Sequence, residues 1–204
     1  MGARLQSFHS EHLFLLLGFL FLVGSALADL TVQLGKATAY GGHSGSDLQM
    51  TFLVNFVPMG IAFIVWGLAS HDSAPFLQGR RGLAVLAVLV ASLADGAIHL
   101  YAFNTHLDHP AIALFFGVVA PVQVLGALRV PRASPAFLRA WALFTAALVA
   151  AYVVSRTTAI TGEIEPVETL GLLSKALELL LLGAVFLLLR PVAVPKRIGV
   201  AAGR

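Results

Sequence analysis

The sequence predicts an all-α integral membrane protein, a six-helix transmembrane bundle. Three observations predict it. Of 204 residues, 58% are hydrophobic and 11% are charged, against about 45–50% and about 25% in a soluble domain. Mean hydropathy is +0.89. The apolar residues gather in six runs of roughly 20, each long enough to cross a hydrocarbon core of about 30 Å as a helix. Strand alternation, which a barrel requires, is absent over these runs. A helix also satisfies its backbone within the segment, as lipid demands. The chain therefore reads as one transmembrane domain, 1–204.

The first span covers about 12–34. It has a rival reading. Arg4, the apolar run 13–23 and Ala26-Leu27-Ala28 resemble a secretory signal, and cleavage before Asp29 would leave five spans. Glu11 in a long polar lead, and apolar character continuing to Leu34, favour an uncleaved helix. Asp29 then falls near the outer surface. The second span, about 48–70, contains Asn55 and Pro58. The third, about 82–103, contains Ser92, Asp95 and His99 on one face. The fourth, about 110–128, contains Pro121 and Gln123. The fifth, about 135–155, opens with Pro135, and the sixth, about 167–189, holds Lys175 and Glu178. Each internal proline frees the carbonyl four residues earlier, so Pro58 and Pro121 are expected to kink their helices and open a cavity. Small residues at Ser92 and Gly96, and at Ala146 and Ala150, are expected to allow close helix packing.

Charge orients the bundle. Ten of the 13 Lys and Arg residues fall at the ends of the spans that share a side with both termini. They are Arg4, Arg80, Arg81, Arg129, Arg132, Arg139, Arg190, Lys196, Arg197 and Arg204. Lys36 and Arg156 face the other side. The positive-inside rule puts both termini in the cytoplasm and the chain in the inner (plasma) membrane as a multi-pass protein. Trp66 and Trp141 are expected in an inner aromatic belt, Tyr40, Tyr101 and Tyr152 in an outer one. The net charge of +3 thus reflects topology, and nucleic acid is excluded as a partner; the lipid bilayer is the partner implied.

Absent chemistry narrows the function. With no cysteine, there are no disulfides, thiolate metal sites, cysteine nucleophiles or covalent c-type haem. No Walker A sequence, dinucleotide glycine fingerprint, HExxH or Gly-x-Ser-x-Gly occurs. No nucleophile–base pairing is visible, so an intramembrane enzyme is the least supported class.

The polar residues inside the spans carry what remains, because ionisable groups there are costly. Asp95 and His99 are four apart. His106 follows at seven from His99, and His109 lies in the same connection. Histidine with carboxylate suits a transition metal, and b-type haem is the alternative cofactor. Asp95, His99, His106 and His109 are the candidate ligands, with Asp95 able to orient His99. Glu163, Glu165 and Glu168 in the last outer loop are placed to complete the set. The bland alternative is an intrahelical Asp–His hydrogen bond below solvated histidines. Asp95 and Lys175 sit at matching depths, roughly 12 Å from the outer helix ends, and are expected to pair across the bundle. Glu178 is then left over, making Asp95, Lys175 and Glu178 a candidate ion or proton relay. The alternative for Lys175 is a contact with Glu178 on its own helix. His9, His12, His71 and Asp72 form a weaker candidate on the cytoplasmic side.

The pattern His99-Leu100, His106, Phe115-Phe116 and Gln123 resembles a group of uncharacterised bacterial multi-pass membrane proteins. Thr105 stands where those proteins carry Glu, and Ala120 where Gly is common. The resemblance covers roughly 30 residues of the third-to-fourth span hairpin. It implies a membrane location and a histidine-bearing hairpin, and no activity.

Three functional readings follow. The first is an outward-facing His/carboxylate site binding a metal ion or haem in a redox-support role. The second is a non-catalytic subunit of a larger membrane complex, with other membrane subunits as partners. The third is a small proton- or cation-coupled transporter.

Overall fold

A computed structural model describes residues 10–40, 47–71, 79–159, 164 and 166–190. Six long helices account for nearly all of them. They are α1 (Ser10–Tyr40), α2 (Asp47–His71), α3 (Gly79–Thr105), α4 (Pro110–Arg129), α5 (Pro135–Thr157) and α6 (Thr169–Leu189). All six are long and apolar enough to cross a membrane. The all-α, six-span, multi-pass architecture expected from composition is therefore what the chain forms, and its apolar helices imply contact with a bilayer.

Local chemistry explains the helix ends. Gly79 opens α3 with φ 66, a left-handed backbone that side chains disfavour. Pro110 and Pro135 sit in the first turns of α4 and α5, where a missing N–H costs nothing. Ser134 caps α5 by accepting from Phe137 N at 3.2 Å. A single 3-10 turn, Val130–Arg132, joins α4 to the next connection. Pro58 and Pro121 lie inside α2 and α4, and both helices run through them. Likewise α1 continues unbroken past Asp29 to Tyr40, six residues beyond the expected end of the first span.

In lipid, apolar surface gives helices no reason to associate, so close packing and hydrogen bonds must hold the bundle. Helix α3 is its hub. In its most apolar window 67% of residues are buried, against 22–33% in the other five helices. One core joins α1, α2, α3 and α4 through Leu22, Ile64, Leu89, Leu93, Tyr101 and Val124. A second joins α3, α5 and α6 through Val88, Trp141, Leu181 and Val185.

The α1–α2 pair meets at Gly18 and Gly60. A Cβ at Gly18 would stand 2.7 Å from the Gly60 carbonyl oxygen, and one at Gly60 would stand 2.9 Å from that of Gly18. Only glycine lets the two backbones come this near. Along the same pair Trp66, Phe14, Phe63, Phe21, Phe56 and Phe52 form a continuous ladder of rings, with neighbouring centroids 5.6–6.2 Å apart.

Several expectations about orientation are corrected. Trp141 is buried, and its indole N–H donates to Ser92 Oγ at 3.2 Å; it packs the core against Gly126 and joins no interfacial belt. Tyr101 is fully buried too, while Trp66 is exposed as a belt residue would be. Ala146 and Ala150 face away from the bundle, whereas Gly96 does make the expected close approach. Asp29 lies level with Asn104, the last residue but one of α3, yet it faces inward between the helices. It is fully buried, where Asn104 Nδ2 donates to its Oδ2 at 2.8 Å and to the Ala26 carbonyl at 2.8 Å.

Candidate metal centre

The third helix positions the site. Asp95 and His99, one turn apart, both point at the seam between α4 and α6 and are buried. Gly96 brings α4 close. A Cβ there would lie 2.9 Å from Val124 Cγ2 and 3.2 Å from Gln123 Cβ. That approach puts the Gln123 amide within reach of both α3 side chains. Its Nε2 donates to Asp95 Oδ2 at 2.5 Å, and its Oε1 lies 2.6 Å from His99 Nδ1. Since Oε1 only accepts, His99 carries its proton on Nδ1, leaving the Nε2 lone pair open. From α6, the Ser174 hydroxyl donates to Asp95 Oδ1 at 2.6 Å. Asp95 thus binds two neutral donors on two helices, and Gln123 bridges it to His99.

Glu178, fully buried on α6, completes the group. Ligand atoms of Asp95, His99 and Glu178 all lie within 4.8 Å of one another. Lys175 Nζ donates to Glu178 Oε1, and Glu178 Oε2 has no hydrogen-bond partner among the described residues. Counted from Thr105 and Thr169 at 1.5 Å per residue, Asp95 and Glu178 lie about 15 and about 14 Å from their helix ends. That is the middle of a hydrocarbon core of about 30 Å.

The expected Asp95–Lys175 pair does not form. Lys175 meets Glu178 on its own helix instead, and Asp95 is satisfied by Ser174 and Gln123. The four candidate ligands Asp95, His99, His106 and His109 are not brought together either. Phe116 stands between His99 and His106, with its ring centroid 5.4 Å from one imidazole and 5.3 Å from the other. His106 donates from Nδ1 to the Ala102 carbonyl at 2.7 Å. His109 is half exposed and lies 3.5 Å from Asp108. Glu168 occupies the N-cap position of α6 without a side-chain cap; Glu163 and Glu165 lie outside the described residues. So do His9 and Asp72, on which the candidate with His12 and His71 depended.

The sequence marks Gln123 as a polar neighbour of Pro121 and as part of the hairpin pattern, without joining it to Asp95, and it gives no sign of Ser174. The signal for Gln123 was Gly96, whose missing side chain marks where α4 comes nearest to Asp95. The cavity expected at Pro58 is an apolar groove of about 460 Å³ between α2 and α3, lined by Val57, Pro58, Ile61, Leu86, Val90 and Ala94 among others. It holds no polar group that would orient a solute.

No family model matches the chain, and no curated protein or solved structure is similar to it. What is established is a polytopic helical membrane protein with a buried Asp95/His99/Glu178 group.

Proposed function

We propose that the protein binds a divalent transition-metal ion within the membrane, with Asp95, His99 and Glu178 as its ligands. One observation carries this reading: three ligand atoms of metal-binding type lie within 4.8 Å of one another in a buried position. Tetrahedral ligands at 2.0–2.1 Å from zinc stand about 3.4 Å apart. A spacing of up to 4.8 Å is within about 1.4 Å of that arrangement. Imidazole with two carboxylates suits zinc, iron or manganese, and the absence of thiolate disfavours copper(I). Three protein ligands leave a coordination position open. Gln123 supplies the outer hydrogen bonds that orient a ligating imidazole and carboxylate.

The test is elemental analysis after purification in mild detergent, with Co²⁺ substitution read by visible absorbance. Near-equimolar metal is expected in the wild type and little in a His99→Ala, Glu178→Gln double variant. Equal metal in both would reject the assignment.

A second reading rests on a different observation. Asp95 and Glu178 approach within 4.8 Å with a single lysine beside them, leaving one negative charge to be balanced. A proton balances that charge, and in this reading Asp95, Lys175 and Glu178 act as a relay for proton-coupled transport. A pH-driven flux in proteoliposomes that survives chelation but is lost in Glu178→Gln would favour this reading over the first.

A further inference from the structure

Lys175 is held in an unfavourable direction. Side chains on a helix tilt toward its N-terminus, and a lysine in a membrane extends toward the nearer surface. For Lys175 both directions lead toward Thr169 at the start of α6. Its ammonium instead turns back to Glu178, three residues deeper. The order lysine first, carboxylate second is also the weaker order for a pair on a helix. What holds the lysine there is the buried carboxylate, which requires a positive partner.

The way out is already furnished. Lys175 Nζ lies 5.3 Å from the centroid of the Tyr152 ring on α5. That ring lies over Gly171, one turn before Lys175, where a Cβ would come within 2.8 Å of Tyr152 Cε2. The Tyr152 hydroxyl is buried and has no hydrogen-bond partner among the described residues. Arg156 stands over the same ring at 4.7 Å, and the hydroxyl is the acceptor on Tyr152 that is still free to take a hydrogen bond.

Like-charge repulsion connects these facts. A divalent ion held by Asp95, His99 and Glu178 shares the Glu178 carboxylate with the Lys175 ammonium. In a low-dielectric interior two cations on one carboxylate repel strongly, and the ammonium relieves that repulsion by leaving it. Resting on the metal reading above, we propose that Lys175 is a tethered counter-ion, displaced from Glu178 to the Tyr152 hydroxyl when a divalent ion binds. The lysine thereby sets the affinity of the site and keeps Glu178 compensated when the site is empty.

The experiment measures Zn²⁺ affinity of the detergent-solubilised full chain by competition with a chelator. Removing the internal competitor in Lys175→Met should tighten binding at least about tenfold. Tyr152→Phe, which removes only the acceptor, should weaken it several-fold. Independently, a membrane-permeant amine reagent should modify Lys175 of the wild type several-fold faster with Zn²⁺ bound than without, read by mass spectrometry. This labelling decides the matter alone if Lys175→Met does not fold. If no chain binds Zn²⁺, the metal reading itself fails. If the wild type binds but Lys175→Met binds no tighter, or Zn²⁺ leaves the labelling of Lys175 unchanged, the counter-ion role is overturned and the metal site stands.

Discussion

Replacing Gln123 by leucine tests whether the bridge between Asp95 and His99 organises the site. Leucine keeps most of the volume and removes both polar contacts. The first is the donation to Asp95 Oδ2, the second the acceptance from His99 Nδ1 at 2.6 Å. A hydrogen bond to a charged group is worth about 1.5–3 kcal/mol and a neutral one about 0.5–1.5 kcal/mol. Together they suggest a loss of about 2–4.5 kcal/mol. Interhelical hydrogen bonds measured in a membrane protein average only about 0.6 kcal/mol, because the unfolded chain in lipid also finds partners. Two such bonds set a floor of about 1.2 kcal/mol. Ser174 still donates to Asp95, which argues for the lower half of the range. The assay is reversible unfolding in mixed micelles, with the lipid-facing neighbour substitution Val122→Leu as the control. The same variant should lose about 10–100-fold in metal affinity, the usual cost of an outer-sphere hydrogen bond to a ligand. A Gln123→Leu protein as stable as the control, and with unchanged metal affinity, would refute the role given to the bridge.

Gly18→Ala and Gly60→Ala should each destabilise the α1–α2 pair by about 1–3 kcal/mol, as overpacking does. The double variant should cost less than the sum, because separating the helices for one methyl makes room for the other; strict additivity in micelle unfolding would show that the two backbones do not touch. Gly126→Ala should push Trp141 off Ser92, since the new methyl meets the indole ring. In a Trp66→Phe background the fluorescence should shift red, and an unchanged spectrum would contradict that packing. The chain has no cysteine, so single cysteines report topology cleanly. The charge asymmetry predicts that in intact cells an impermeant maleimide labels Asp108→Cys and not Ser134→Cys; the reverse pattern would invert the proposed orientation.

The six helices were legible because bilayer thickness alone sets the length of an apolar run, whatever the helices pack against. Asp95–His99 and Lys175–Glu178 were legible for a related reason: spacings of four and three are local properties of one helix. Contacts between helices were not. A helix that is apolar almost all round, as α4 and α6 are, does not declare which face turns inward. The reach of Gln123 and Ser174 to Asp95 depends on that rotation. The same blindness sent Trp141 and Tyr101 to the membrane surface, by residue type, when their helices turn them inward. The burial of Asp29 was hidden for the same reason, because it depends on Asn104 of α3 reaching the carboxylate inside the bundle.

Asn104 and Asp95 also constrain what could move on binding of the proposed metal ion. They are nine residues apart on α3, which at 100° per residue places them on opposite faces, about 180° apart. On one face Asn104 is bonded to Asp29 and the Ala26 carbonyl of α1. On the other Asp95 is bonded to Gln123 of α4 and Ser174 of α6. Turning α3 in either direction breaks polar contacts with three helices at once, in a medium that offers no water to replace them. Adjustment to an ion therefore falls to side chains on α6. There Glu178 has an oxygen without a hydrogen-bond partner among the described residues, and Lys175 has a second acceptor within reach. A rigid hub and one yielding wall would let the proposed cation exchange without helix displacement. Cross-links between α1 and α3, for example a disulfide introduced near Ala26 and Asn104, should then leave Zn²⁺ exchange intact. A cross-link that blocks exchange would mean that α3 itself must move.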